Sequence, residues 1–165
     1  MAPTKTSTDP PTTEQQFISF LLTQKQWGMI PTSQLTETVN LGLDSIVQIP
    51  DLPPAVVGVC GWRGEVLWLV DLSYALGLSP LLSTDYQPAK CNVLRVSVNQ
   101  QNFGIIVAEV RQLFRCDPSS LRLEFPAPFN SEATQLLHGT FAAAKQTNVV
   151  SVNLGALLET LRSPT

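Results

Sequence analysis

The feature that most constrains this chain is that its β pattern is stated twice. Phe17 to Thr23 reads as a strand, followed by a turn at Gln24 to Gln26 and a return strand Trp27-Gly28-Met29-Ile30. The same order recurs as Val93 to Val98, a turn at Asn99 to Asn102, and Phe103-Gly104-Ile105-Ile106-Val107, which puts Trp27-Gly28 and Phe103-Gly104 at equivalent places. Late in each half, Val70-Asp71-Leu72 is echoed by Val152-Asn153-Leu154, each ahead of a short helical segment. Self-similarity in fixed order at a period of about 80 residues predicts two copies of one β unit, since solenoids stack three or more short repeats. The expected fold is mainly β, two small barrels with short helices.

The rest of the chain is read around that frame. Residues 1–16 are rich in threonine and proline and nearly devoid of apolar side chains, so they are expected to form a disordered tail. The body spans 17–165, with a first barrel over about 17–90 and a second over about 91–162. Pro31, lacking an N–H, ends the second strand, and Pro31 to Glu37 is expected to make a helical turn. Ser45 to Ile49 reads as a short strand closed by the rigid Pro50-Asp51-Leu52-Pro53-Pro54 loop. Val56 to Trp62 and Glu65 to Leu72 read as a hairpin across Arg63-Gly64, with Gly64 able to take positive φ. Ser73 to Leu78 reads as a short helix ended by Gly77, and Ser79 to Lys90 as a connector. Phe141-Ala142-Ala143-Ala144-Lys145 favours helix by propensity, but the duplication places a strand there.

Composition removes several function classes. With 44% hydrophobic residues and only 14% charged ones, the chain can bury a core and presents few surface charges. A net charge of −3 and scattered basic residues offer no field or stripe for nucleic acid or an anionic membrane, so a protein partner is the default. There is no apolar run of about 18 residues for a spanning helix and no signal-peptide pattern, which predicts a cytoplasmic protein without direct membrane insertion. Cys60, Cys91 and Cys116 form no Cys-x-x-Cys pair and read as reduced, buried thiols. One histidine, His138, leaves too few ligands for a metal, and no phosphate-cradling glycine loop occurs, so neither metal nor cofactor is expected.

The stretch from Ile49 to Leu72, with its Ile-Pro-x-x-Pro loop, Gly-Val strand, Arg-Gly turn and Val-Asp-Leu strand end, resembles the core signature of CheW-like chemotaxis coupling proteins. The similarity runs from about Phe17 to Leu161. Its wording is most similar to cyanobacterial members attached to pilus-driven phototaxis. The resemblance implies two intertwined five-stranded SH3-like β-barrels with a hydrophobic cleft. It further implies a non-enzymatic adaptor in chemotaxis or phototaxis that binds the regulatory domain of a CheA-type histidine kinase and the cytoplasmic tip of a methyl-accepting receptor. Carried onto this chain, the partner-binding residues are Arg63 and Gly64, with Trp62, Val56, Val57 and Val59 beside them. Two positions depart from the family pattern: Gly61 stands where an Asn is usual, and Trp68 where a Pro is usual.

Each of these residues also has a plainer explanation. Arg63 can be a solvated turn residue, although a guanidinium at a turn tip can also bind a carboxylate or carbonyls. Trp62 and Trp68 can be core, or one can be an exposed contact. Asp71 and Asn153 suit helix capping rather than catalysis. The competing function is a small hydrolase pairing His138 with a serine or cysteine, for which no nucleophile-elbow motif exists.

Overall fold

The computed structural model describes residues 13–23, 25–82, 89–143 and 148–162. Among the described residues there are ten strands: β1 (Gln15–Leu21), β2 (Trp27–Pro31), β3 (Leu35–Gly42), β4 (Val56–Trp62), β5 (Glu65–Asp71), β6 (Lys90–Val98), β7 (Gln101–Val107), β8 (Glu109–Cys116), β9 (Leu137–Ala142) and β10 (Asn148–Val152). Three short helices accompany them: α1 (Leu72–Ala75), α2 (Ser131–Thr134) and α3 (Leu154–Arg162). The strands form two five-stranded sheets, the first ordered β3-β6-β7-β5-β4 and the second β8-β1-β2-β10-β9.

Neither sheet comes from one half of the chain. Each takes the leading hairpin of one half and the last three strands of the other, so the halves are intertwined. The boundary near residue 90 therefore separates the duplicated units but not the sheets, which corrects the expectation of one barrel over 17–90 and another over 91–162. The cause lies at Pro31, which has no N–H to extend the ladder. The 3-10 turn Thr32–Gln34 follows at once and carries β3 away to the other sheet.

The duplication is also visible in register. Asp71, the last residue of β5, and Asn153, the residue after β10, cap the helices that follow, accepting from the N–H of Tyr74 and Ala156 respectively. Two residues before each cap, Leu69 pairs in parallel with Gly104, and Ser151 with Met29. Gly104 thus corresponds to Met29, and the expected equivalence of Trp27-Gly28 with Phe103-Gly104 is off by one residue. The two glycines face opposite sides. A Cβ on Gly28 would lie 2.6 Å from Phe20 Cε1, whereas one on Gly104 would lie 2.7 Å from Val93 Cγ1. By the same register Arg95, opposite Gly104, corresponds to Ser19, opposite Met29.

A seam core joins the sheets, with Ile18, Phe20 and Val150 meeting Leu94, Val96 and Ile105. Each such fully buried side chain stabilises the fold by about 1.5–3 kcal/mol. Smaller cores lie within each sheet: Val39, Leu67, Leu69 and Val93 in the first, Phe17, Met29 and Val149 in the second. The edges of each sheet approach one another. Trp62 on β4 bonds Glu37 on β3, and Phe141 on β9 stacks on Phe114 on β8 with ring centroids 5.6 Å apart.

Other expectations need correction. Strand β1 begins at Gln15 and Thr13 bonds Asp117, so residues 13–16 are not tail, while residues 1–12 lie outside the described residues. The third strand is Leu35–Gly42, not Ser45–Ile49, where only Val47 makes an isolated bridge to Val59. The helical turn expected over 31–37 is confined to Thr32–Gln34. Strand β8 was not expected. Both β3 and β8 are edge strands with one solvated face, and their polar residues hide the alternation. The alanine segment is strand through Ala142, as expected, and Ala144 and Lys145 lie outside the described residues.

Candidate functional site

The site is built on the β4–β5 hairpin. Arg63 (φ 52°) and Gly64 (φ 79°) both occupy the left-handed region, which a two-residue turn needs if it is to match the twist of its strands. Gly64 adopts this freely, whereas Arg63 holds it at a cost of order 1 kcal/mol. Below the turn Trp62 pairs with Glu65, Gly61 with Val66, and Val59 with Trp68, and a bulge at Val57 shifts the register by one.

Glu37 organises the side chains around the turn. Its carboxylate accepts from Trp62 Nε1 at 3.0 Å, Arg63 Nε at 3.1 Å and Arg95 Nη1 at 3.2 Å. Arg95 also donates through Nη2 to Glu65 Oε1 at 3.0 Å, and Asn102 adds a bond to the same oxygen at 3.4 Å. The Arg63 guanidinium lies 5.5 Å from the Trp62 ring centroid. The Trp62 hydrogen bond, followed by that of Arg63, holds the Glu37 carboxyl below its ordinary pKa, so it stays ionised. Arg63 is therefore anchored by its own chain through Nε. Its side chain is nevertheless 65% exposed, which leaves the outer face of the guanidinium open to a partner.

Beside the turn lies an apolar strip. Val66 is 66% exposed and Trp68 42%, and Val47 and Ile49 are also exposed. Val47 bridges Val59, and Val59 pairs with Trp68, which puts the three on one face. The strip runs into a groove of about 310 Å³ between the first sheet and α3, lined by Val56, Trp68, Phe103, Leu158 and Leu161 among others. Of the expected contact residues, Arg63 and Gly64 are exposed, Trp62, Val56 and Val57 are half-buried, and Val59 is buried between its strand partners Trp68 and Val47. Sequence reasoning did not find Glu37 or Arg95. A lone Glu and a lone Arg in alternating strands carry no signal until the strands are paired.

The hydrolase alternative finds no support. His138 is solvent-exposed, desolvation of its ring by the surrounding protein lowers its pKa, and it bonds no serine or cysteine among the described residues. All three cysteines are buried, and burial pushes each thiol above its ordinary pKa, away from the nucleophilic thiolate. No metal-binding cluster occurs among the described residues.

Comparison with known proteins bears on this geometry. A sequence model of the CheW-like domain matches residues 16–162. The protein FrzA of Myxococcus xanthus is 28% identical over 162 residues, covering 98% of this chain and 96% of FrzA. The crystal structure of the scaffolding protein TtCheW from Thermoanaerobacter tengcongensis superposes with a TM-score of 0.71 at 19% identity, over 90% of this chain and 89% of that one.

Proposed function

This chain belongs to the CheW-like domain family, and we propose that it couples the cytoplasmic tip of a methyl-accepting receptor to the regulatory domain of a CheA-type histidine kinase. CheW-like proteins are scaffolds of chemotaxis signalling rather than enzymes, and the work they do is binding. The observation that carries the reading is the exposed strip of Val47, Val66 and Trp68 beside the anchored Arg63-Gly64 turn. Exposed contiguous apolar surface rimmed by polar groups marks protein contact sites.

Arg63 and Gly64 form the tip of the contact, with Trp62 and Val57 behind it. Val56 lines the groove, which suits a receptor helix laid along its apolar face. Val59 acts from the neighbouring strand, packing beside Trp68 as its cross-strand partner. The scaffold shifts the kinase between its active and inactive populations by binding them unequally. No helix among the described residues is long and apolar enough to cross a membrane, and the protein reaches receptor arrays from the cytoplasm through its partners.

The test is binding of the purified full chain to the kinase regulatory domain and to a receptor cytoplasmic fragment, comparing wild type, Arg63→Ala and Trp68→Ala. Loss of an interface anchor is expected to weaken at least one partner by about fivefold or more, with melting temperature nearly unchanged for Arg63→Ala. Normal binding of both partners by both variants refutes the site.

A further inference from the structure

We infer that Arg95, on β6 in the second half of the chain, is the positioning residue that fixes the direction of Trp62 and Arg63 at the β4–β5 turn. This rests on the reading of that turn as a partner contact. The left-handed backbone at residues 63 and 64 fixes where the turn lies but not where a long, mostly exposed arginine points. An exposed ion pair alone restrains such a side chain weakly. What restrains Glu37, the acceptor for both Trp62 and Arg63, is the guanidinium beneath it.

Arg95 is only 11% exposed, and its two terminal nitrogens are divided between two carboxylates on different strands, Glu37 on β3 and Glu65 on β5. If Glu37 swung away, a nearly buried cation would lose one of its two counter-charges, which the low-dielectric setting resists. The Glu37 carboxylate is thereby locked, and the indole N–H and guanidinium that converge on it are locked with it. A lysine has no fork with which to hold both carboxylates.

The duplication supplies the argument that barrel formation does not require this arrangement. The position corresponding to Arg95 in the second sheet is Ser19. Its hydroxyl bonds the backbone of Gln112, donating to the carbonyl and accepting from the N–H. The facing edges there are spanned by the stacked rings of Phe114 and Phe141. Among the described residues, that sheet closes without buried charge, so the ionic arrangement in the other serves the turn it supports.

The test uses the full chain, in which Trp27 and Trp68 provide internal references for the Trp62 indole signal. In Arg95→Met the Trp62 indole N–H is expected to shift and to exchange with solvent about tenfold faster, with backbone signals of the seam core unchanged. Arg95→Lys should fall between Arg95→Met and wild type. Affinity for the kinase regulatory domain should drop, and Arg95→Met combined with Arg63→Ala should bind no worse than Arg63→Ala alone, since the two act through one arrangement. An unchanged Trp62 indole in folded Arg95→Met overturns the inference. If that variant does not fold, Glu65→Ala, which removes the exposed anchor of Arg95, decides in the same way. A mobile Trp62 with kinase binding equal in all variants supports the positioning role and overturns the partner reading of the turn.

Discussion

Replacing Asp71 by alanine is expected to destabilise the protein far more than replacing its counterpart Asn153. Asp71 is almost fully buried, and its two oxygens do separate work. One accepts the Tyr74 N–H that starts α1, at 3.2 Å. The other accepts the N–H groups of Leu81 and Leu82, at 2.7 and 3.2 Å, and so ties down the chain beyond Gly77. Loss of the cap costs about 1 kcal/mol. Loss of two hydrogen bonds to a charged acceptor costs roughly 1.5–3 kcal/mol each, offset by no longer burying a carboxylate. Burial is the largest influence on this carboxyl and raises its pKa against the pull of the backbone N–H groups. The net expectation is about 2–4 kcal/mol, or on the order of 10 °C in melting temperature for a chain of this size. Asn153 accepts one capping bond from Ala156, and Asn153→Ala should cost about 1 kcal/mol. Asp71→Asn should fall between them, because an amide keeps one acceptor but turns a donor toward N–H groups. The pKa is raised in the folded state, so this group's favourable contribution is full below the unfolded pKa and fades as pH rises through the folded value. The gap between wild type and Asp71→Asn should therefore narrow with rising pH. Urea unfolding followed by tryptophan fluorescence, at acid and neutral pH, measures all of this. Asn153→Ala proving as costly as Asp71→Ala, or a gap that widens with pH, refutes the reasoning.

Three further outcomes are expected. The carboxyl of Glu37 has a lowered folded pKa, so its contribution is present above the ordinary carboxylate range and is lost as pH falls through the depressed value. Glu37→Gln should flatten that acid limb and alter Trp62 fluorescence, and an acid limb identical to wild type would contradict it. Gly104→Ala should cost about 1–3 kcal/mol through overpacking, because its Cβ would meet Val93 and Leu69 at 2.7 and 2.8 Å. Gly61→Asn, where a Cβ meets nothing within 4 Å, should leave stability within about 0.5 kcal/mol; similar denaturation midpoints for the two variants would show the packing argument to be wrong. His138→Gln should leave pull-down of the kinase unchanged and reveal no hydrolytic turnover in either form, and a turnover abolished by the substitution would reinstate the enzyme.

What could be read without coordinates was whatever is encoded locally. The hairpins β1–β2, β4–β5 and β6–β7 announce themselves because adjacent apolar runs flank short turns, and the Arg63-Gly64 turn lay where the residues put it. The caps at Asp71 and Asn153 follow from residue type and position. Strands β3 and β8 did not announce themselves, since an edge strand with one wet face needs few apolar residues. The family resemblance groups Val59 with the contact residues, and alternation along β4 gives two faces without saying which is covered. Val59 is buried between Val47 and Trp68, a consequence of a bridge to a segment that is not its hairpin partner.

By itself, the sequence determined the β character, the twofold repetition, the turn that carries Arg63, and the family. Tertiary structure alone decided that the halves trade hairpins, that Gly28 and Gly104 face opposite sides, and that Glu37 and Arg95 converge beneath the turn. The division has a physical cause. Turns and caps are set by interactions within a few residues, whereas the parallel pairings β2–β10 and β5–β7 and the charge arrangement on Glu37 join groups distant along the chain. Such contacts exist only once the seam core has brought the strands together.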